Sequence, residues 1–194
     1  MSEPPDTILI ERAQQGDESA VASLYRRYAH MIARYVGYRV SDLAAVEDLT
    51  AEVFLQMVEA LPRYRVTGAP FEAWLYRIAS ARVADYYRHR ERYALEELDE
   101  RLDGDRPPLE LDVQQGEELA ELRAALGQLS ADHQTILILR FVERKSHREV
   151  AQIMDKSVRA VATAQHRALK RLAELLQTDK TGRHYLRGNR REQP

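Results

Sequence analysis

Arg159, Thr163, His166, Arg167 and Lys170 recur at spacings of three and four residues near the end of the chain. On an α-helix that spacing gathers them on one outward face. A face of cations with a hydroxyl suits the binding of a polyanion. Arginine reads guanine edges at two points, while lysine and the remaining arginines meet phosphates. Val158, Val161, Ala164, Ala168 and Leu172 form the neighbouring stripe, which is expected to be buried. Just upstream, Ser146-His147-Arg148-Glu149 fits the capping box Ser-x-x-Glu and predicts the start of a short helix with Val150, Ile153 and Met154 inward. Asp155-Lys156-Ser157 then gives a polar turn, with Ser157 placed to cap the cationic helix. Two helices at such a turn, the second one basic, have the helix-turn-helix geometry that enters the DNA major groove. An amphipathic hairpin with solvated bases fits the same pattern.

A second constellation lies earlier. Between Phe71 and Tyr93 the aromatics Phe71, Trp74, Tyr76, Tyr86, Tyr87 and Tyr93 interleave with Arg77, Arg82, Arg88, Arg90 and Arg92. Aromatic faces stack on unpaired bases while arginines follow the backbone, the combination used for single-stranded nucleic acid. Trp74, Leu75, Ile78 and Tyr86 are expected in the core, so the arginines are the better contact candidates. Enzyme chemistry finds no support. The six histidines, His30, His89, His133, His147, His166 and His184, form no HExxH or paired ligand spacing, and no Walker loop, GxSxG or Rossmann glycine run occurs. No catalytic residue, metal or cofactor is expected. Without cysteine there is no disulfide and no thiolate site.

The elements that position these groups follow from composition. The chain has 194 residues, 44% hydrophobic and 31% charged, with a formal net charge of −2. Strand signals are scarce, and Ala, Leu, Glu, Arg and Gln dominate. The expected class is all-α: two small helical domains joined by a flexible acidic linker, the C-terminal one a helix-turn-helix. The first domain spans residues 1–93. Asp17 is a candidate cap for a helix carrying Ala20, Leu24, Tyr28, Met31, Ile32 and Tyr35, and Gly37 and Ser41 mark the next break. A second helix carries Leu43, Val46, Leu49, Val53, Phe54, Met57, Val58 and Leu61 and is stopped by Pro62. After a loop through Gly68 and Pro70, a third helix runs to about Arg92. Residues 94–116, acidic and interrupted by Gly104, Pro107, Pro108 and Gly116, read as the linker. The second domain covers residues 117–177, with Ser130 capping a helix that holds Ile136, Leu137, Leu139 and Phe141. Residues 178–194 read as a basic disordered tail. The net charge conceals alternating blocks: arginine-rich at 63–92, acid-rich at 95–121, basic from 159 onward, as if separate surfaces met separate partners. With no membrane-length apolar run and no visible export signal, a cytoplasmic protein is the expectation.

Three stretches carry a resemblance. EDLTAEVFLQMVEALPRY, FEAWLYRIASARVADYYRHRER and the segment from Leu129 to Leu172 occur in the order found in bacterial sigma factors of the extracytoplasmic-function (ECF) group, which the chain resembles from Leu9 to Leu176. The resemblance implies a subunit of RNA polymerase with no catalysis of its own. It places binding of the β′ clamp helices on Asp48, Glu52, Gln56 and Glu59. It places −10 recognition and melting on Arg63, Tyr64 and Arg65 of the loop, with Trp74, Arg77, Arg82 and Arg88, and −35 recognition on Arg159, Thr163, His166, Arg167 and Lys170. Core RNA polymerase and promoter DNA are the implied partners, together with a possible anti-sigma factor. Some positions depart from the family pattern: Ala81 where asparagine is common, Asp155 in place of a turn glycine, and Ala162 where lysine is frequent. A stand-alone helix-turn-helix regulator with an N-terminal dimerisation or sensing domain is the alternative reading, and an RNA-binding adaptor a third.

Overall fold

Polar breaks decide where the N-terminal helices begin. In the computed structural model, which describes residues 4–66, 68–97 and 121–188, α1 (Asp6–Gln14) starts behind Pro5, whose carbonyl accepts from the amides of Ile8 and Leu9. Helix α2 (Glu18–Gly37) begins at Asp17, as expected. Its carboxylate accepts from the amides of Ser19 and Ala20 at 2.9 and 3.3 Å. The Ser19 hydroxyl and the Arg12 guanidinium pull the Asp17 pKa down to about 2. The charged cap is therefore fully stabilising above the usual value of 3.8, and its contribution is lost as pH falls toward 2. Helix α3 (Leu43–Ala60) is capped by Asp42 rather than Ser41, through the amide of Ala44 at 3.1 Å. Pro62 sits inside a single 3₁₀ turn, Leu61–Arg63, that extends α3. Gly68, at φ 68°, turns the following loop, and the Pro70 carbonyl accepts from Ala73 at the start of α4 (Phe71–Glu97). Helix α4 continues through Tyr93 into the stretch expected to be linker, because Ala94, Leu95, Glu96 and Glu97 are strong helix formers without a breaker among them. The rest of that linker, from 98 to 116, lies outside the described residues.

Helix α2 is the hub. It packs against α1, α3 and α4 around Leu24, Ile32, Tyr35, Val53, Met57, Leu75 and Tyr76, all buried. Leu75 and Ile78 lie in this core as expected, with Trp74 and Tyr86 half-buried against it.

The second half comprises α5 (121–127), α6 (Ala131–Leu137), a π turn at Ile138–Val142, α7 (His147–Met154) and α8 (Val158–Gly188). Ser130 caps α6 by accepting from His133 at 3.4 Å. The capping box at Ser146 forms in full: the serine amide donates to Glu149 at 2.7 Å, and the Glu149 amide donates to the serine hydroxyl at 3.2 Å. Asp155 adopts the left-handed conformation at φ 52°, which aspartate tolerates better than most residues, and Ser157 accepts from Ala160 at 3.1 Å. Two expectations are corrected. Phe141 is 57% exposed, because the wide π turn rotates it off the buried stripe of α6. Val158 is likewise exposed, since it opens α8 ahead of the first turn that packs, while Val161 and Ala168 are fully buried. Helix α8 also continues to Gly188, into residues expected to form a disordered tail; 189–194 lie outside the described residues. Among the described residues no helix is long and apolar enough to cross a membrane.

Ser146→Ala should destabilise the C-terminal domain by about 1 kcal/mol in urea unfolding near neutral pH. The Glu149 carboxyl lies below its usual pKa because the Ser146 hydroxyl and amide bond to its charged form. The destabilisation caused by Glu149→Ala should therefore be full above about pH 4.5 and shrink as pH falls through the lowered value.

The halves are not separate bodies. A small cluster of Leu126, Leu129, Leu137 and Ala168 belongs to the C-terminal half alone. Ile136, Ile138, Leu139, Val150, Ala151, Ile153 and Val161 instead join the core of α1–α4. Polar bonds cross the seam. Arg34 forks onto both Glu143 oxygens at 2.8 and 2.7 Å, and the Glu143 side chain is only 3% exposed. Lys145 meets Glu72 at 2.6 Å. Buried Tyr35 and Thr135 share a hydrogen bond of 3.1 Å, and Arg39 reaches Gln134 at 3.3 Å.

Candidate nucleic-acid and polymerase interfaces

Burying Val161 and Ala168 turns the opposite side of α8 outward. Arg159, Thr163, His166, Arg167 and Lys170 are all exposed, and none makes a side-chain hydrogen bond or ion pair among the described residues. The helix is held in place from behind: Arg140 donates to Gln165 at 3.0 Å, bracing α8 on the π turn. Neighbouring cations are already engaged, Lys156 with Asp132 at 2.6 Å and Arg171 with Glu174 at 3.3 Å. The expected reading face is thus the part of this domain whose cations remain available to an outside anion.

The N-terminal candidates divide into three groups. Tyr64 and Trp74 lie together, ring centroids 4.5 Å apart at 34°, with Phe71 edge-on to Tyr64 at 5.3 Å. Burial raises the Tyr64 hydroxyl pKa, so it stays protonated as a donor. Arg63 and Arg65 flank this half-buried ring and are exposed. Arg77 turns away, donating to the backbone oxygens of Ile153 at 2.9 Å and Gln152 at 2.6 Å. Arg82 and Arg88 share Asp85, Arg82 at 3.6 Å and Arg88 in direct contact. The structure therefore gathers Arg63, Tyr64, Arg65 and Trp74 and gives the three α4 arginines partners within the chain.

Sequence reasoning missed what holds the loop. The Gln14 side-chain amide at the end of α1 donates to the carbonyls of Leu61 at 3.0 Å and Tyr64 at 2.8 Å. No local signal reveals a contact across that sequence separation.

On α3, Asp48, Glu52 and Glu59 are exposed, and Gln56 is half-buried with its Oε1 unpartnered. The acids surround apolar groups that sequence reasoning did not assign to the site: Leu55 at 61% exposed and Val58 at 44%. Val58 also lines a shallow groove with Val21, Ala22 and Tyr25 of α2. Here a signal existed. Leu55 and Val58 stand beside a stripe of Val46, Leu49, Val53, Phe54 and Met57, more apolar side chains than one buried helix face accommodates. No group of three or more potential metal ligands occurs among the described residues.

The family model for sigma-70 region 2 matches residues 24–93, and that for sigma-70 region 4 matches residues 119–172. The ECF RNA polymerase sigma factor SigD of Mycobacterium tuberculosis is 35% identical over 173 residues, 86% of this chain and 81% of SigD. The chain belongs to the ECF sigma factors of RNA polymerase. BldN of Streptomyces coelicolor, also an ECF RNA polymerase sigma factor, is 38% identical over 175 residues, 88% of this chain; the chain spans 66% of BldN. The solved structure of CnrH in complex with the cytosolic domain of CnrY matches with a TM-score of 0.67 at 25% identity, over 90% of this chain and 98% of CnrH.

As a sigma factor the protein binds core RNA polymerase and directs promoter-specific initiation, and its family is not an enzyme class. The region 2 match takes in most of α2 and all of α3, but not α1, so Gln14 lies outside it. Removing both hydrogen bonds by Gln14→Leu should cost the loop about 1–2 kcal/mol of ordering. Promoter opening by the sigma factor's holoenzyme, followed by permanganate reactivity of unpaired thymines, should slow about 5- to 30-fold. Closed-complex binding should not change.

Proposed function

We propose that the sigma factor divides promoter recognition between its halves. The face of α8 formed by Arg159, Thr163, His166, Arg167 and Lys170 reads the −35 element in the major groove. The loop carrying Arg63, Tyr64 and Arg65, backed by Trp74, holds an unpaired base of the −10 strand, with Arg77, Arg82 and Arg88 available to the backbone of the melted strand. Extruding a base costs a few kcal/mol, which a stacking and hydrogen-bonding pocket offsets. The α3 face of Asp48, Glu52, Gln56 and Glu59, with Leu55 and Val58 at its centre, docks on the clamp helices of the β′ subunit. Acids around exposed apolar groups make a polar rim about a hydrophobic centre, the anatomy of a protein interface. Because CnrH is seen bound to the cytosolic domain of CnrY, a protein inhibitor of the anti-sigma kind fits as a further partner here. The protein acts in the cytoplasm, without chemistry of its own.

The observation that carries this reading is the unengaged cationic face of α8, held outward by a buried apolar stripe. Gel shift with and without core polymerase tests it. The chain alone should bind promoter duplex weakly, and tight, sequence-selective binding and run-off transcripts should appear only with core enzyme. Nanomolar binding by the chain alone would instead indicate a self-sufficient regulator.

A further inference from the structure

We propose that the α2–α4 face and the C-terminal domain form a reversible docking surface for each other, which closes the free sigma factor and must part before it spans a promoter. The proposal rests on the division of promoter reading set out above.

Arg77 supplies the first argument. It lies on the helix assigned to the melted strand, yet its guanidinium is spent on the carbonyls of Gln152 and Ile153. These belong to the last turn of α7, where helix carbonyls lack intrahelical partners. The group cannot satisfy those carbonyls and a phosphate at once, so docking and strand contact exclude each other at this side chain.

Reach supplies the second argument. Elements centred at −35 and −10 are separated by about 25 base pairs, on the order of 80 Å of straight duplex at 3.4 Å each. A closed globule of 194 residues has a radius of gyration of about 16 Å, roughly 40 Å across. Docked, the two halves do not reach both elements. Residues 98–120 between them have a contour length of about 75 Å, enough for separation without unfolding either half.

The chemistry of the seam suits reversal. Besides its apolar contacts it is closed by two ion pairs, Arg34 with Glu143 and Glu72 with Lys145, and by hydroxyl, amide and guanidinium bonds among Tyr35, Thr135, Arg39 and Gln134. Water can replace each of these partners when the halves part, so the polar bonds set orientation and contribute little net cost to opening. A closed state lowers the apparent affinity for polymerase by the fraction of molecules that are open.

The test uses the full chain. With no native cysteine, Ser41→Cys and Ala173→Cys, both exposed, accept a donor and acceptor dye. The free protein should show high energy transfer and lose it on adding core polymerase. Lys145→Glu places like charges against Glu72; it should lower transfer in the free protein and tighten core binding about 3- to 10-fold. Glu72→Lys combined with Lys145→Glu should restore both values. Circular dichroism checks that each variant folds, and Glu143→Gln, which removes an ion pair without reversing charge, serves if Lys145→Glu does not. Unchanged transfer in the free variant, altered transfer with unaltered core affinity, or a swap that restores neither value overturns the proposal. Failure of the wild type to bind core at all would instead refute the promoter reading, and the free-chain measurement would still decide whether the halves dock.

Discussion

Asp48→Arg combined with Glu52→Arg should weaken binding to core polymerase at least about 100-fold, since like charges brought together in an interface cost several kcal/mol. Both side chains are exposed and make no bond among the described residues, so the melting temperature should stay within a degree or two of wild type. Fluorescence anisotropy with purified core measures the first quantity, thermal circular dichroism the second. Leu55→Ala and Val58→Ala should weaken binding through lost apolar contact at an unchanged salt dependence, whereas the charge reversal should alter that dependence. The pair of measurements thus separates the rim of the surface from its centre. Full retention of core binding by the reversed variant would move the polymerase contact off α3.

Arg167→Ala should reduce promoter-directed transcription about 5- to 150-fold, the equivalent of about 1–3 kcal/mol for one lost two-point contact with a base. The effect should be confined to promoters that carry the cognate −35 sequence. Lys170→Ala should instead weaken binding evenly across sequences and lower the salt slope by about one. Arg167 sits one turn beyond the buried Val161 and beside the buried Ala168. Its removal leaves the packing of α8 intact, so a loss of transcription reports on DNA contact. Run-off assays on promoters that differ only at −35 distinguish the two behaviours.

Much of this was legible because local chemistry decides it. Asp17, Ser130, Ser146 and Ser157 cap the helices that their residue types announce, and the reading face of α8 follows from the alternation of Val161 and Ala168 with Arg159, Thr163 and Arg167. Contacts that depend on remote partners were not legible. Gln14 holds carbonyls far along the chain, and Arg77 trades an expected strand contact for the end of α7. Nothing near Thr135 or Glu143 announces that they meet Tyr35 and Arg34. The exposed Leu55 and Val58 lay between these cases: the surplus of apolar residues on α3 was visible, its purpose only once the helix had a buried side.

The wide turn at Ile138–Val142 sets the angular phase of everything after it. Each residue of an α-helix advances about 100° around the axis, so the additional residue accommodated in that turn swings Phe141 to solvent while Glu143 comes round to Arg34. Deleting one residue there would let the segment relax to an ordinary helix and rotate Glu143 and Lys145 away from their partners. Both ion pairs would be lost with all four of their side chains still present.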